Sequence, residues 1–218
     1  MIKKIILLIV VAVLTMLCGC GELSYQDKVD NFSVENLELK KGQIVFVGDS
    51  ITEKYNLKEH YKDINLQVYN RGISGDTVDW LLNRIQVSAI DLLPSIIVLM
   101  IGSNDINYGR SAEEIANGYN NLLNFISTNL PNSKLYLLSI IPQNNKYSIN
   151  AYQNNQTIIK TNQKIQNLAT FYGYKYVNLY DELLDEKGFL DVNYSKDGLH
   201  LNKKGYKIWT ALMKNVLV

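Results

Sequence analysis

Cysteine is nearly absent. The chain of 218 residues has two, Cys18 and Cys20. Outside that pair no disulfide can form, so the folded domain depends on its core alone. An excess of one charge is missing too. There are 22 basic and 21 acidic residues, for a formal charge of +1, and without Lys3 and Lys4 the balance becomes −1. Nucleic-acid binding needs a basic stripe and is excluded. No His/Cys cluster or carboxylate constellation suggests a metal, and no cofactor is expected. Internal repeats and low-complexity tracts are also lacking. The length suits one well-buried domain rather than two.

Long hydrophobic runs are limited to the first twenty residues, MIKKIILLIVVAVLTMLCGC. Lys3 and Lys4 precede an apolar run from Ile5 to Leu17. That run is short for a hydrocarbon core of ~30 Å and suits the apolar region of a signal peptide. Leu17-Cys18-Gly19-Cys20 resembles a bacterial lipobox, which implies Cys20 as the lipidated first mature residue. The resemblance makes residues 1–19 a lipoprotein signal peptide and the protein an exported lipoprotein, anchored on the outer side of a bacterial membrane. A plain N-terminal membrane anchor is the alternative. Residues 20–42 follow as the lipidated cysteine and a polar tether leading into an entry segment, without a clear period. A flexible coil of that length reaches roughly 26 Å.

From residue 43 the pattern alternates. Apolar runs suited to buried parallel strands are IVFV (44–47), LQVYN (66–70), SIIVLMI (95–101), KLYLLSII (134–141) and YKYVNL (174–179). Helical spacing occupies 77–93, 112–130, 154–172 and the chain from about 203. Ser111 and Glu114 form a capping box at the head of the second of these. Five strands alternating with helices predict a single α/β domain over 43–218, a three-layer α/β/α sandwich around a mostly parallel sheet. Ligands of such sheets bind beyond the carboxyl ends of the strands.

Four short stretches fall at that edge: Gly48-Asp49-Ser50, Asn70 to Asp76, Gly102 to Asp105, and Asp197 to His200. Each alone reads as a turn or a cap. Together they supply a reaction. A serine hydroxyl is a poor nucleophile unless a base takes its proton, and the base needs an orienting acid. The chain has two histidines. His60 lies in the charged stretch KEHYKD, which reads as a solvated helix face. His200 sits in a glycine-containing loop three residues after Asp197. Ser50, His200 and Asp197 therefore fill the three roles. Ser50 N–H, Gly72 N–H and the Asn104 side chain can bind the oxyanion. Asp49, Asp76 and Asp105 read as loop-fixing residues. No Gly-x-Ser-x-Gly elbow is present, which argues against an ordinary α/β-hydrolase.

The stretches GDSIT, NRGISGDT, IGSND and DGLHLNKKGY, in that order and spacing, resemble the four blocks of the SGNH (GDSL-type) hydrolases over about residues 43–218. The wording is most similar to their lysophospholipase L1-like and acetylhydrolase-like esterases. The resemblance implies a flavodoxin-like five-stranded fold, with Ser50 as nucleophile, His200 as base and Asp197 as orienter. It implies Ser50, Gly72 and Asn104 as the oxyanion hole. The expected activity is a serine esterase acting on an ester substrate, with O-acetyl or other short acyl groups on surface glycans preferred. A lysophospholipase or thioesterase and a non-catalytic binding module on the same fold are the alternatives. The polar loop 142–152 suits a sugar site better than an acyl tunnel.

Overall fold

The structure, a computed structural model, describes residues 23–217. Lys3, Lys4, the apolar run and Cys20 lie outside the described residues.

The polar segment expected to be a tether instead contains a helix, α1 (Tyr25–Glu35), started by a reciprocal Ser24/Asp27 capping box. Burial does not explain it, since no α1 residue is fully buried. Aromatic contacts do. Phe32 lies under the Arg71 guanidinium at 4.3 Å, and Tyr25 meets Trp80 edge-on at 5.4 Å. Those partners are distant in sequence, so a local period could not reveal them.

The sheet comprises β1 (Ile44–Gly48), β2 (Val68–Gly72), β3 (Ile96–Met100), β4 (Lys134–Leu138) and β5 (Lys175–Val177). All neighbours are parallel, in the order β2-β1-β3-β4-β5. This is the flavodoxin-like doubly wound order, whose switch point lies between β1 and β3. Side chains alternate across the strands. Val45 and Val47 join one core layer with Leu81, Tyr119, Leu122 and Ile158. Ile44 and Phe46 join the other with Leu179, Trp209 and Met213. Every position of β1 and β3 is buried, which explains their unbroken apolar runs.

Helices α2 (Ser50–Glu53) and α3 (Leu57–His60) follow β1, and α4 (Val78–Ser88) follows β2. The expected helix over 77–93 stops at Ser88. A 3₁₀ turn over Ile90–Leu92 replaces its end, and Leu93 has φ +44 directly before Pro94, which disfavours helix at the preceding residue. Helices α5 (Ser103–Asn107) and α6 (Ala112–Asn129) follow β3, and the Ser111/Glu114 capping box is present. Helix α7 (Ala151–Tyr172) precedes β5, and α8 (Lys203–Leu217) closes the fold.

Candidate active site

Gly48-Asp49-Ser50 is a tight junction between β1 and α2. A Cβ on Gly48 would lie 2.1 Å from the Met100 carbonyl oxygen, so only glycine lets the strand end beside β3. Asp49 is the helix cap; its Oδ1 accepts from Ile51 N–H at 2.9 Å. Ser50 then occupies the first helical position, where an N–H has no intrahelical acceptor.

Ser50 Oγ lies 2.9 Å from His200 Nε2. His200 Nδ1 lies 2.7 Å from Asp197 Oδ2. With the Nδ1 proton directed at the carboxylate, the Nε2 lone pair is left to face the hydroxyl. Asp197 Oδ1 accepts from the backbone N–H of His200 at 2.8 Å and of Leu199 at 3.0 Å. Partial burial works to raise the Asp197 pKa. The hydrogen bonds from His200 and Leu199 outweigh it and hold the carboxyl well below its usual range. The loop is braced from outside. Gly198 (φ +79) donates from its N–H to Ser195 Oγ and accepts from Asn144 N–H, and a Cβ there would meet the Tyr147 side chain at 2.8 Å.

The proposed oxyanion donors divide. Ser50 N–H has no hydrogen-bond partner among the described residues. The Asn104 amide, near the head of α5, gives one hydrogen to the Asp76 carbonyl at 2.8 Å and retains a second. Gly72 is different: its N–H donates to Asn70 Oδ1 at 2.9 Å. Its glycine identity has a packing cause, since a Cβ would lie 2.3 Å from Glu53 N. The Gly72 N–H is thus engaged within its own loop, whereas that of Gly75 is open. Gly75 is the third residue of a turn closed by Asp76 N–H on the Ile73 carbonyl, with φ +86. Its own N–H has no partner among the described residues, and the Asn104–Asp76 bond holds the turn against α5.

The acids around this rim are structural. Asp49, Asp76 and Asp105 are all buried. Arg84, equally buried, donates to Asp76 Oδ2 at 2.7 Å, to the Gly48 carbonyl at 3.0 Å and to the Arg71 carbonyl at 2.9 Å. One guanidinium thus pins the ends of β1 and β2. Asp105 accepts from Val78 N–H and pairs with Arg110. Burial pushes the Asp49 carboxyl up to about 7, and the Asp76 and Asp105 charges add to the rise against the Ile51 N–H. Arg84 carries no motif in the sequence and was not among the expected residues. Neither was Glu53, which accepts from Ser74 N–H and binds Lys28 of α1 at 2.7 Å.

His60 is half-buried rather than fully solvated. Its Nδ1 is 2.6 Å from Thr210 Oγ1 and its ring packs 5.1 Å from Tyr55. Burial lowers its pKa. Among the described residues no group of His, Cys, Asp and Glu side chains could hold a metal ion.

The model of the GDSL-like lipase/acylhydrolase family matches residues 46–208. The chain is 31% identical over 119 residues to platelet-activating factor acetylhydrolase IB subunit alpha2 of Gallus gallus, covering 53% of this chain and 51% of that protein. The match thus spans about half the length of that relative. A solved structure of a proposed platelet activating factor from Streptococcus pneumonia superposes with a TM-score of 0.82 at 30% identity, covering 88% of this chain and 92% of that one. A GDSL-like lipase from Bacteroides thetaiotaomicron gives a TM-score of 0.77 at 25% identity, covering 87% and 96%.

Proposed function

The chain belongs to the GDSL-like lipase/acylhydrolase family, and on that premise we propose that it is a serine ester hydrolase working through an acyl-enzyme. The observation that carries this is the relay Ser50 Oγ–His200 Nε2 at 2.9 Å and His200 Nδ1–Asp197 Oδ2 at 2.7 Å. Ser50 Oγ attacks the ester carbonyl carbon as His200 Nε2 takes its proton. The carbonyl oxygen becomes an oxyanion, held by Ser50 N–H, Gly75 N–H and the free hydrogen of the Asn104 amide. The imidazolium then protonates the departing alcohol. Water, activated by the same nitrogen, releases the acid and frees Ser50. Asp197 holds the ring in the tautomer that accepts at Nε2.

The preferred substrate is an O-acetyl or other short acyl ester on a surface glycan. The polar loop 142–150 supports this, because it packs directly on the Asp197–His200 loop through Asn144 and Tyr147. The protein is proposed to act outside the cell, lipid-anchored through Cys20. Helix α1 shortens the tether: only residues 21–23 separate Cys20 from the Ser24 cap, an extended reach of roughly 10 Å. Leu23 also shares one surface depression with Glu53, Asn70 and Gly72, so the chain meets the domain at the rim that carries the site. An anchored enzyme would work close against the bilayer surface.

The test is hydrolysis of p-nitrophenyl esters from acetate to decanoate by the wild type and Ser50→Ala. Acetate is expected to be the preferred chain, with loss of turnover in the variant. Near-wild-type turnover without Ser50 would overturn the chemistry. A strong preference for eight carbons or more would overturn the short-acyl substrate alone.

A further inference from the structure

His200 and Asp197 border a second feature. A cleft of about 700 Å³ is built wholly from residues 192–204, and Lys196, Lys203 and Lys204 line it together with that pair. Neither Ser50, Gly75 nor Asn104 lines it. Three cations in one cleft are a concentration for a chain whose basic and acidic residues nearly balance.

Their charge is only partly offset. Lys203 pairs with Glu59 at 3.3 Å. Lys196 and Lys204 form no ion pair among the described residues. Asp197 is committed to the His200 ring and to backbone N–H groups. Local helix physics does not account for the lysines either. Lys203 and Lys204 stand in the first turn of α8, which carries no acid, whereas the positive end of a helix favours acidic side chains. A local preference broken beside a reactive group is where a function is to be sought.

The reaction says which half of the substrate meets this cleft. The oxyanion donors come from the loops after β1, β2 and β3, and they hold the carbonyl oxygen. The imidazole delivers its proton to the leaving oxygen, so the alcohol half lies on the His200 side. We infer that the lysine-lined cleft binds the alcohol half of the ester and selects alcohols bearing a negative group, a phosphate or a carboxylate. This deepens the esterase reading and rests on it. Such an alcohol has two sources, an acidic surface glycan or a phospholipid headgroup, and a cationic cleft concentrates either one.

The test compares two acetyl esters that differ only in the alcohol: monoacetin and 1-acetylglycerol 3-phosphate. The full chain is used. The wild type is expected to favour the phosphorylated ester by roughly ten-fold in kcat/KM, with the preference shrinking as sodium chloride rises from 20 to 500 mM. The K196Q/K203Q/K204Q triple variant should lose the preference through KM, with kcat for the phosphorylated ester nearly retained. K196R/K203R/K204R should keep it. Lys160, on α7 and across the sheet from α8, serves as control, and K160Q should leave the ratio unchanged. Lysophosphatidate, with its long acyl chain, separates the sources: lysine-dependent turnover of it above that of the acetyl ester identifies a lipid, and the reverse identifies a glycan. Equal kcat/KM for monoacetin and its phosphate, or a preference untouched by the glutamine variant, overturns the inference while leaving the esterase standing. No turnover of either ester, together with an unreactive Ser50, overturns both.

Discussion

The Asn104 side-chain amide donates to the Asp76 carbonyl at 2.8 Å. The loop after β3 and the turn after β2 are therefore one unit, although 28 residues separate these two partners. One amide hydrogen fixes the Gly75–Asp76 turn and the other is free for the oxyanion. Asn104→Ala removes both effects. It should lower kcat by roughly 10²–10³, with a smaller change in KM, as read from steady-state hydrolysis of p-nitrophenyl acetate.

The two glycines of the β2 loop should fail in different ways. Gly72→Ala forces a methyl group to 2.3 Å from Glu53 N and 2.8 Å from the Asp49 carbonyl oxygen, both backbone atoms that cannot swing aside. The expected result is a large loss of thermal stability. Gly75→Ala has open space for its methyl but a φ of +86, a strain of about 1–2 kcal/mol. That variant should fold, with a modestly lower Tm, and lose activity through the displaced turn. Melting curves beside initial rates distinguish the two outcomes.

Asp49 gives a pH signature. Its folded pKa is raised from 3.8 to about 7, so between these values the folded state keeps a proton that the unfolded state has released. Its contribution to stability then falls as pH rises through this window and stays low above it. Asp49→Asn is neutral at every pH and can still accept from Ile51 N–H. The variant should be more stable than wild type at pH 8, by at least about 1 kcal/mol, and the gap should close toward pH 5. Urea titrations at both pH values measure it.

Arg84 is expected to be a stability residue. Arg84→Met leaves Asp76 without its buried partner and the Gly48 and Arg71 carbonyls without a donor. A loss of about 3–5 kcal/mol follows, checked by chemical denaturation. Arg84→Lys should recover only part, because an ammonium cannot reproduce the planar fork.

Much of this was legible in the chain. The runs IVFV and SIIVLMI announced strands buried on both faces, and both are central in the sheet. Ser111 and Glu114 marked the start of α6 by their own side chains. What stayed hidden depends on partners far away in sequence. Helix α1 is held by Arg71, Trp80 and Asp76, none of them visible from residues 21–42. His60 reads as solvated among charged neighbours, yet it is half-buried, bonded to Thr210 and packed on Tyr55. Gly72 and Gly75 both suit a tight turn. Their N–H groups differ only through the Asn70 side chain, which occupies that of Gly72.

The central claim is that the Ser50 hydroxyl is a nucleophile activated by His200, and reaction with a fluorophosphonate probe tests it most directly. Intact-mass and peptide mass spectrometry of the folded full chain should show one adduct, on Ser50, absent from Ser50→Ala and strongly slowed in His200→Ala. A folded protein that gains no adduct, or gains it at another residue, would contradict the account.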